Sequence, residues 1–129
     1  MAEENVESLR HVYAKWERAD FTPRFELYAP DWEWGWSDEF PGLGGVKRDP
    51  SNERLREWLS PWEQWRVEAE EYIPAGEHVV VLCRYTGRGK GSGVDVNSEG
   101  AHLWTFRDGR AVRLEIFSSR DRALAAAGA

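Results

Sequence analysis

A chain of 129 residues is the size of one domain, and 41% hydrophobic with 31% charged residues is ordinary for a globular one. Its formal net charge of −6 argues against nucleic acid and anionic membranes as partners. The longest wholly apolar run, Val79 to Cys83, is far too short to cross a bilayer.

The opening MAEENVESLR lacks the basic start and apolar stretch of an export signal, so a cytoplasmic protein is expected. A first helix is marked by Val6, Leu9, Val12, Tyr13, Trp16 and Ala19 at three- and four-residue steps, capped by Asn5 and ending near Asp20. Thr22-Pro23 reads as a cap and first-turn proline opening a short helix with Phe25, Leu27 and Tyr28, stopped by Pro30. In DWEWGWSDEF, Trp32, Trp34 and Trp36 alternate with Glu33 and Gly35, the period of a strand with one aromatic face. After the loop PGLGG, Asp49-Pro50 starts a third helix carrying Leu55, Trp58 and Leu59 and stopped before Pro61.

The second half reads as strands. Gln64 to Ile73 alternates in part, with Trp65, Val67, Ala69 and Glu71 opposite Arg66, Glu68, Glu70 and Tyr72. Pro74-Ala75-Gly76 turns the chain into a buried strand from Val79 to Thr86, within which Cys83 is expected to be an inert core thiol. As the single cysteine it can form no internal disulfide. A glycine-rich connection, Gly87 to Gly93, leads to Val94, Val96 and a strand from Ala101 to Arg107. Asp108-Gly109 signals a two-residue hairpin into a last strand from Ala111 to Ser118. Ser119 or Asp121 begins an alanine-rich helix ending near Gly128. This order predicts one α+β domain over residues 1–129, with a curved mixed sheet wrapped around three N-terminal helices.

Three stretches and a tail carry a family likeness: Tyr28-Ala29-Pro30-Asp31, the run from Ala75 to Leu82, the run from Trp104 to Arg113, and Asp121-Arg122-Ala123-Leu124. In this order and spacing the chain resembles the nuclear transport factor 2-like superfamily, the cone-shaped fold shared with ketosteroid isomerases, and within it the SnoaL-like branch. The resemblance implies a cone enclosing an apolar pocket. In the isomerases a carboxylate near the end of the first strand shuttles a proton, but the matching Trp34-Gly35-Trp36 offers no acid until Asp38. A first-helix tyrosine donates to the developing oxyanion, and Tyr13 is the nearest candidate, one position from the matching place. His102 falls where a second donor sits. The polyketide cyclases of the SnoaL-like branch pair a histidine in this region with an aspartate on the last strand. Here that strand offers Glu115, with Ile116 in the inward place, so the set is incomplete by either template.

Eight tryptophans are more than a domain of this size needs for its core, and they suggest an aromatic-lined cavity for an apolar or ring-shaped ligand. Trp16, Tyr28, Trp34, Trp36, Trp58, Trp104, Leu114 and Ile116 are the expected ligand-binding residues. Trp62 and Trp65 are as readily placed on the outside of the sheet or in a dimer interface. His102, Tyr13 and Asp31 are the candidate catalytic groups: His102 shares a strand face with Trp104 and Phe106, and a histidine there can act as acid, base or donor. Glu115 is expected outside, because Leu114, Ile116 and Ser118 make the better core face. Asp38 and Glu39 read as solvated loop residues. His11, His78 and His102 lie on separate elements without ligand spacing, so no metal site is expected. GRGKGSG misses the third glycine of a dinucleotide motif and joins two strands, so no cofactor is expected. The function expected is binding of a small hydrophobic, cyclic or polyketide-like molecule, with either cofactor-independent isomerase- or cyclase-type chemistry or no catalysis. Trp65 or Phe117 on the convex face argues for a homodimer.

Overall fold

The first helix forms where apolar residues recur once per turn, so that Leu9, Val12 and Tyr13 are buried on a single stripe. The computed structural model describes residues 2–22, 26–50 and 52–129. In it, α1 spans Ala2–Trp16 and is followed by β1 (Tyr28–Trp36), β2 (Val46–Lys47), α2 (Glu53–Leu59), β3 (Trp62–Ala75), β4 (His78–Gly89), β5 (Asp95–Arg107), β6 (Arg110–Phe117) and α3 (Arg120–Ala127).

The strands form one mixed sheet in the order β2-β1-β6-β5-β4-β3. Only β1 and β6 run parallel. Asp108 and Gly109 both take positive φ, at 54° and 79°, the backbone that a two-residue hairpin between β5 and β6 needs. The architecture is α+β, as expected, with two helices ahead of the long strands and one behind them. Among the described residues no helix is long and apolar enough to cross a membrane.

Period-two alternation sorts the strands between two cores. Val79, Val81, Cys83, Trp104, Phe106 and Leu114 pack with α1 on the inner face. Val80, Ala101, Leu103 and Phe117 pack on the outer face against Ala123 of α3. Ser119 caps α3 by accepting from the Arg122 N–H, and Gly128 ends it at φ 75°. Arg120 docks the helix by donating to the carbonyls of Cys83 (2.9 Å) and Gly100 (3.2 Å).

Several expectations are corrected. Asn5 does not cap α1, which begins at Ala2; it is buried one turn into the helix. The helix ends at Trp16, and Ala19 leaves its apolar stripe as an exposed residue at φ 61°. The short helix expected from Thr22 falls partly outside the described residues; beyond them, 26 and 27 form a turn and Tyr28 already belongs to β1. The glycine-rich connection is shorter than it looked, because β4 runs to Gly89 and β5 begins at Asp95. In β3 the strand is interrupted twice, between Glu63 and Arg66 and between Ala69 and Glu71. Each irregularity reverses which residues face inward, so Tyr72 joins the inner core instead of opposing it. Phe117 is covered by α3 and Trp65 packs inward, so the convex-face argument for a homodimer loses both residues.

Candidate functional site

The inner sheet face is longer than α1 can cover, and the remainder forms a cavity of about 770 Å³ shared with α2. Its wall includes seven tryptophans: Trp16, Trp32, Trp34, Trp36, Trp58, Trp62 and Trp65. Ring contacts run without a break from Trp34 to Trp36 (5.1 Å between centroids), Trp58 (5.6 Å), Trp65 (5.7 Å), Tyr85 (6.0 Å), His102 (5.8 Å) and Trp16 (5.8 Å). These separations are those of favourable offset and edge contacts, so the belt is held partly by its own rings. Leu55, Val67, Leu114 and Ile116 fill gaps in it. Asp49 fixes the start of α2 by accepting from the backbone N–H groups of Glu53 (3.2 Å) and Arg54 (3.1 Å). That helix carries Trp58 into the wall. The Arg54 guanidinium lies over the rings of Trp34 and Trp36, at 5.0 and 5.4 Å, and holds them from behind.

His102 is the only histidine on the wall, and its surroundings set its chemistry. The Trp104 indole N–H donates to the Tyr13 hydroxyl oxygen at 2.8 Å, and that hydroxyl lies 2.5 Å from His102 Nδ1. A hydroxyl that accepts from Trp104 has its own proton to place, and Nδ1 is the acceptor in reach. His102 is therefore assigned as the neutral tautomer protonated on Nε2, which gives this wall residue an N–H donor. Burial pushes its pKa down to about 3, so the ring stays uncharged across the physiological range. Burial likewise raises Tyr13 well above the ordinary phenol range, keeping its proton in place.

Two further buried polar atoms of wall residues, Trp62 Nε1 and the Tyr85 hydroxyl, have no hydrogen-bond partner of proper geometry. The Cys83 thiol beside Tyr85 is at best a weak partner. Cys83 itself is buried, with its thiol pushed up to about 12 by desolvation, and is inert. Glu39 is not the solvated residue expected. It is only 11% exposed at the side chain, and accepts from Ser37, from both the amide and hydroxyl of Ser118, and from the Ser119 amide. Burial raises its pKa, but these hydrogen bonds outweigh that and hold the carboxylate below its usual range. The β1–β2 loop is thereby stapled to the end of β6, which brings Phe40 and Ser118 onto the same wall.

The structure gathers most of the expected site residues but not all of them. His102, Trp16, Tyr28, Trp34, Trp36, Trp58, Leu114 and Ile116 line the cavity. Trp104 does not: it is 0% exposed and stacks behind the wall between Trp16 and Trp32. Tyr13 is also behind the wall, reaching the cavity only through His102. Asp31 is exposed at the surface and paired with Arg107 at 3.3 Å, away from His102. It is corrected from the catalytic set, because the β1 strand turns it outward while Trp32 faces in. Glu115 points outward into an ion pair with Arg113 (3.0 Å), as the parity of β6 required. Trp62, Trp65 and Tyr85 were missed as wall residues. The first irregularity of β3, with Gln64 at φ 52°, puts Trp62 and Trp65 on one side although three residues separate them. Strict alternation cannot anticipate that.

Comparisons with known proteins agree with the fold. A search of curated proteins finds none significantly similar in sequence. Among solved structures, TerC co-crystallised with polyporic acid is 25% identical with a TM-score of 0.75, covering 98% of this chain and 99% of that one. A candidate SnoaL-like polyketide cyclase from Jannaschia sp. CCS1 is 20% identical with a TM-score of 0.70, covering 99% and 94%. A protein with the ketosteroid isomerase-like fold from Catenulispora acidiphila, in complex with trimethylamine, is 20% identical with a TM-score of 0.64, covering 93% and 91%. The model of the SnoaL-like domain matches residues 9–114, from the buried face of α1 to the inward side of β6, and the chain belongs to that family.

Proposed function

We propose that this chain binds a flat, multi-ring hydrophobic molecule of polyketide-like character, with one ligand oxygen held by the His102 Nε2–H. The observation that carries this reading is the unbroken aromatic belt around a cavity of about 770 Å³. A cavity of that size suits a ligand of several fused or linked rings, and a wall of indoles favours ring faces over flexible chains. The family and the polyporic acid held by TerC support a small ring-bearing ligand.

A second reading is cofactor-independent isomerase- or cyclase-type chemistry, favoured by the Trp104–Tyr13–His102 network. That network fixes one donor in one orientation, the arrangement that stabilises charge developing on a carbonyl oxygen. In this reading His102 polarises the carbonyl as a neutral donor, and Tyr13 is a positioning residue that sets its tautomer.

Intrinsic tryptophan fluorescence, titrated with polyporic acid, steroids, polyketide-like aromatics and terpenoids, tests the first reading. Saturable quenching by one class is expected, and no saturable response across the panel would sink it. For the second reading, His102→Ala should keep binding of that class within a few-fold while abolishing its conversion, followed by mass spectrometry. Equal conversion by both proteins, or none by the parent, leaves a binding protein.

A further inference from the structure

The ionised groups and donors on the cavity wall do not balance. Five wall side chains can carry charge or an imidazole proton: Lys15, Asp49, Glu99, His102 and Arg110. Both carboxylates are already committed. Asp49 takes the two backbone N–H groups at the start of α2, and Glu99 pairs with Arg120 at 3.0 Å. The cations are not. Lys15 spends one of its three N–H donors on the Thr22 carbonyl at 2.6 Å and lies close enough to Asp20 to help lower its pKa, but forms no ion pair among the described residues. Arg110 forms none of the ion pairs or hydrogen bonds found among the described residues.

The histidine on the wall leans the same way. With Nδ1 turned to the Tyr13 hydroxyl, His102 offers a ligand a neutral N–H donor, which suits an acceptor oxygen.

We propose that the ligand is an acidic ring compound bound as its anion, a carboxylate or ionised enol on an aromatic frame. Its charged oxygens meet Lys15 and Arg110, and a carbonyl oxygen meets the His102 N–H. The proposal rests on the cavity being a ligand site and names the chemical class that this site selects. The chain's net charge of −6 does not oppose it, because repulsion from the far surface is screened beyond about 8 Å at physiological salt. The two cations act at contact distance.

A matched pair tests it: anthraquinone-2-carboxylate and anthraquinone-2-carboxamide, alike in shape but different in charge and donors. Dissociation constants are measured by tryptophan quenching at pH 7 and low salt. The carboxylate should bind roughly tenfold more tightly, a preference that narrows as salt is raised. The ratio should shrink severalfold in Arg110→Gln and in Lys15→Gln. Arg88→Gln, which removes a charge paired with Asp95 outside the wall, should leave the ratio as it is. Equal binding of the two probes, or tighter binding of the amide, overturns the anionic class while the pocket stands. A carboxylate preference that survives both wall substitutions overturns the roles given to Lys15 and Arg110. Failure of both probes together with the neutral panel overturns the pocket itself.

Discussion

On β4 and β5 neighbouring residues part to opposite faces. Val80, Ala101 and Leu103 go under α3, and Val81, His102 and Trp104 go toward α1 and the cavity. The outer core is small, aliphatic apart from Phe117, and closed by a helix whose ends are both capped. Among the described residues it holds no buried side-chain polar atom without a partner. The inner face is built from bulky rings, which line an open cavity of about 770 Å³. The comparison separates two uses of burial: one face is filled for stability, and the other is held open by packing its rings edge to edge.

That contrast can be broken first by truncation. Phe117→Ala, on the filled face, should lower unfolding free energy by about 3–5 kcal/mol in urea, with ligand quenching retained under native conditions. Trp58→Ala, half-buried on the open face, should lose under about half as much stability while weakening aromatic ligands at least roughly tenfold. Equal destabilisation by the two would mean that the tryptophan belt is ordinary core.

The second effect is pH-dependent and belongs to the open face alone. His102 has a folded pKa of about 3, below the ~6.5 of an unfolded chain. As pH falls below 6.5 the unfolded chain takes up the proton first, so stability is lost from there down to about pH 3. The slope is at most about 1.4 kcal/mol per pH unit. His102→Gln should flatten the stability profile between pH 6 and 4 by up to that amount. Identical slopes would show that the histidine is not buried neutral.

Tyr13→Phe comes next. It strands His102 Nδ1 and Trp104 Nε1 without partners and should cost about 1–3 kcal/mol. Nitrogen NMR of the His102 ring should show Nε2 protonated in the parent and a mixture of tautomers in the variant; an unchanged ring would remove Tyr13 from its positioning role. The smallest expected effect is at the outer helix, where Ser119→Ala removes the α3 cap for about 1 kcal/mol by thermal or urea unfolding. Ligand affinity there should not move.

Elements with strong local signals were legible from the order of residues alone. The α1 stripe, the alternation of Trp32, Trp34 and Trp36 and the inward parity of Leu114 and Ile116 follow from spacings of 3.6 or 2, and the hairpin follows from the Asp108-Gly109 pair. What escaped were interruptions of those periods. The positive φ of Gln64 and the second irregularity near Glu70 rotate Trp62, Trp65 and Tyr72 inward, and no residue there announces it as a glycine would. Asp31 and Trp104 were misplaced for another reason. Periodicity says which face a side chain takes, but not whether the space beyond that face is cavity, core or solvent.

The sequence by itself determined which residues are apolar, how they alternate and where the chain turns, and these are local properties fixed within a few residues. Tertiary structure alone decided that seven tryptophans from four separate elements share one wall, and that Trp104 and Tyr13 stand behind it. It also decided that His102 is neutral with its proton on Nε2. That outcome depends on a hydroxyl 89 residues away and on exclusion of water, and neither is encoded in any spacing along the chain.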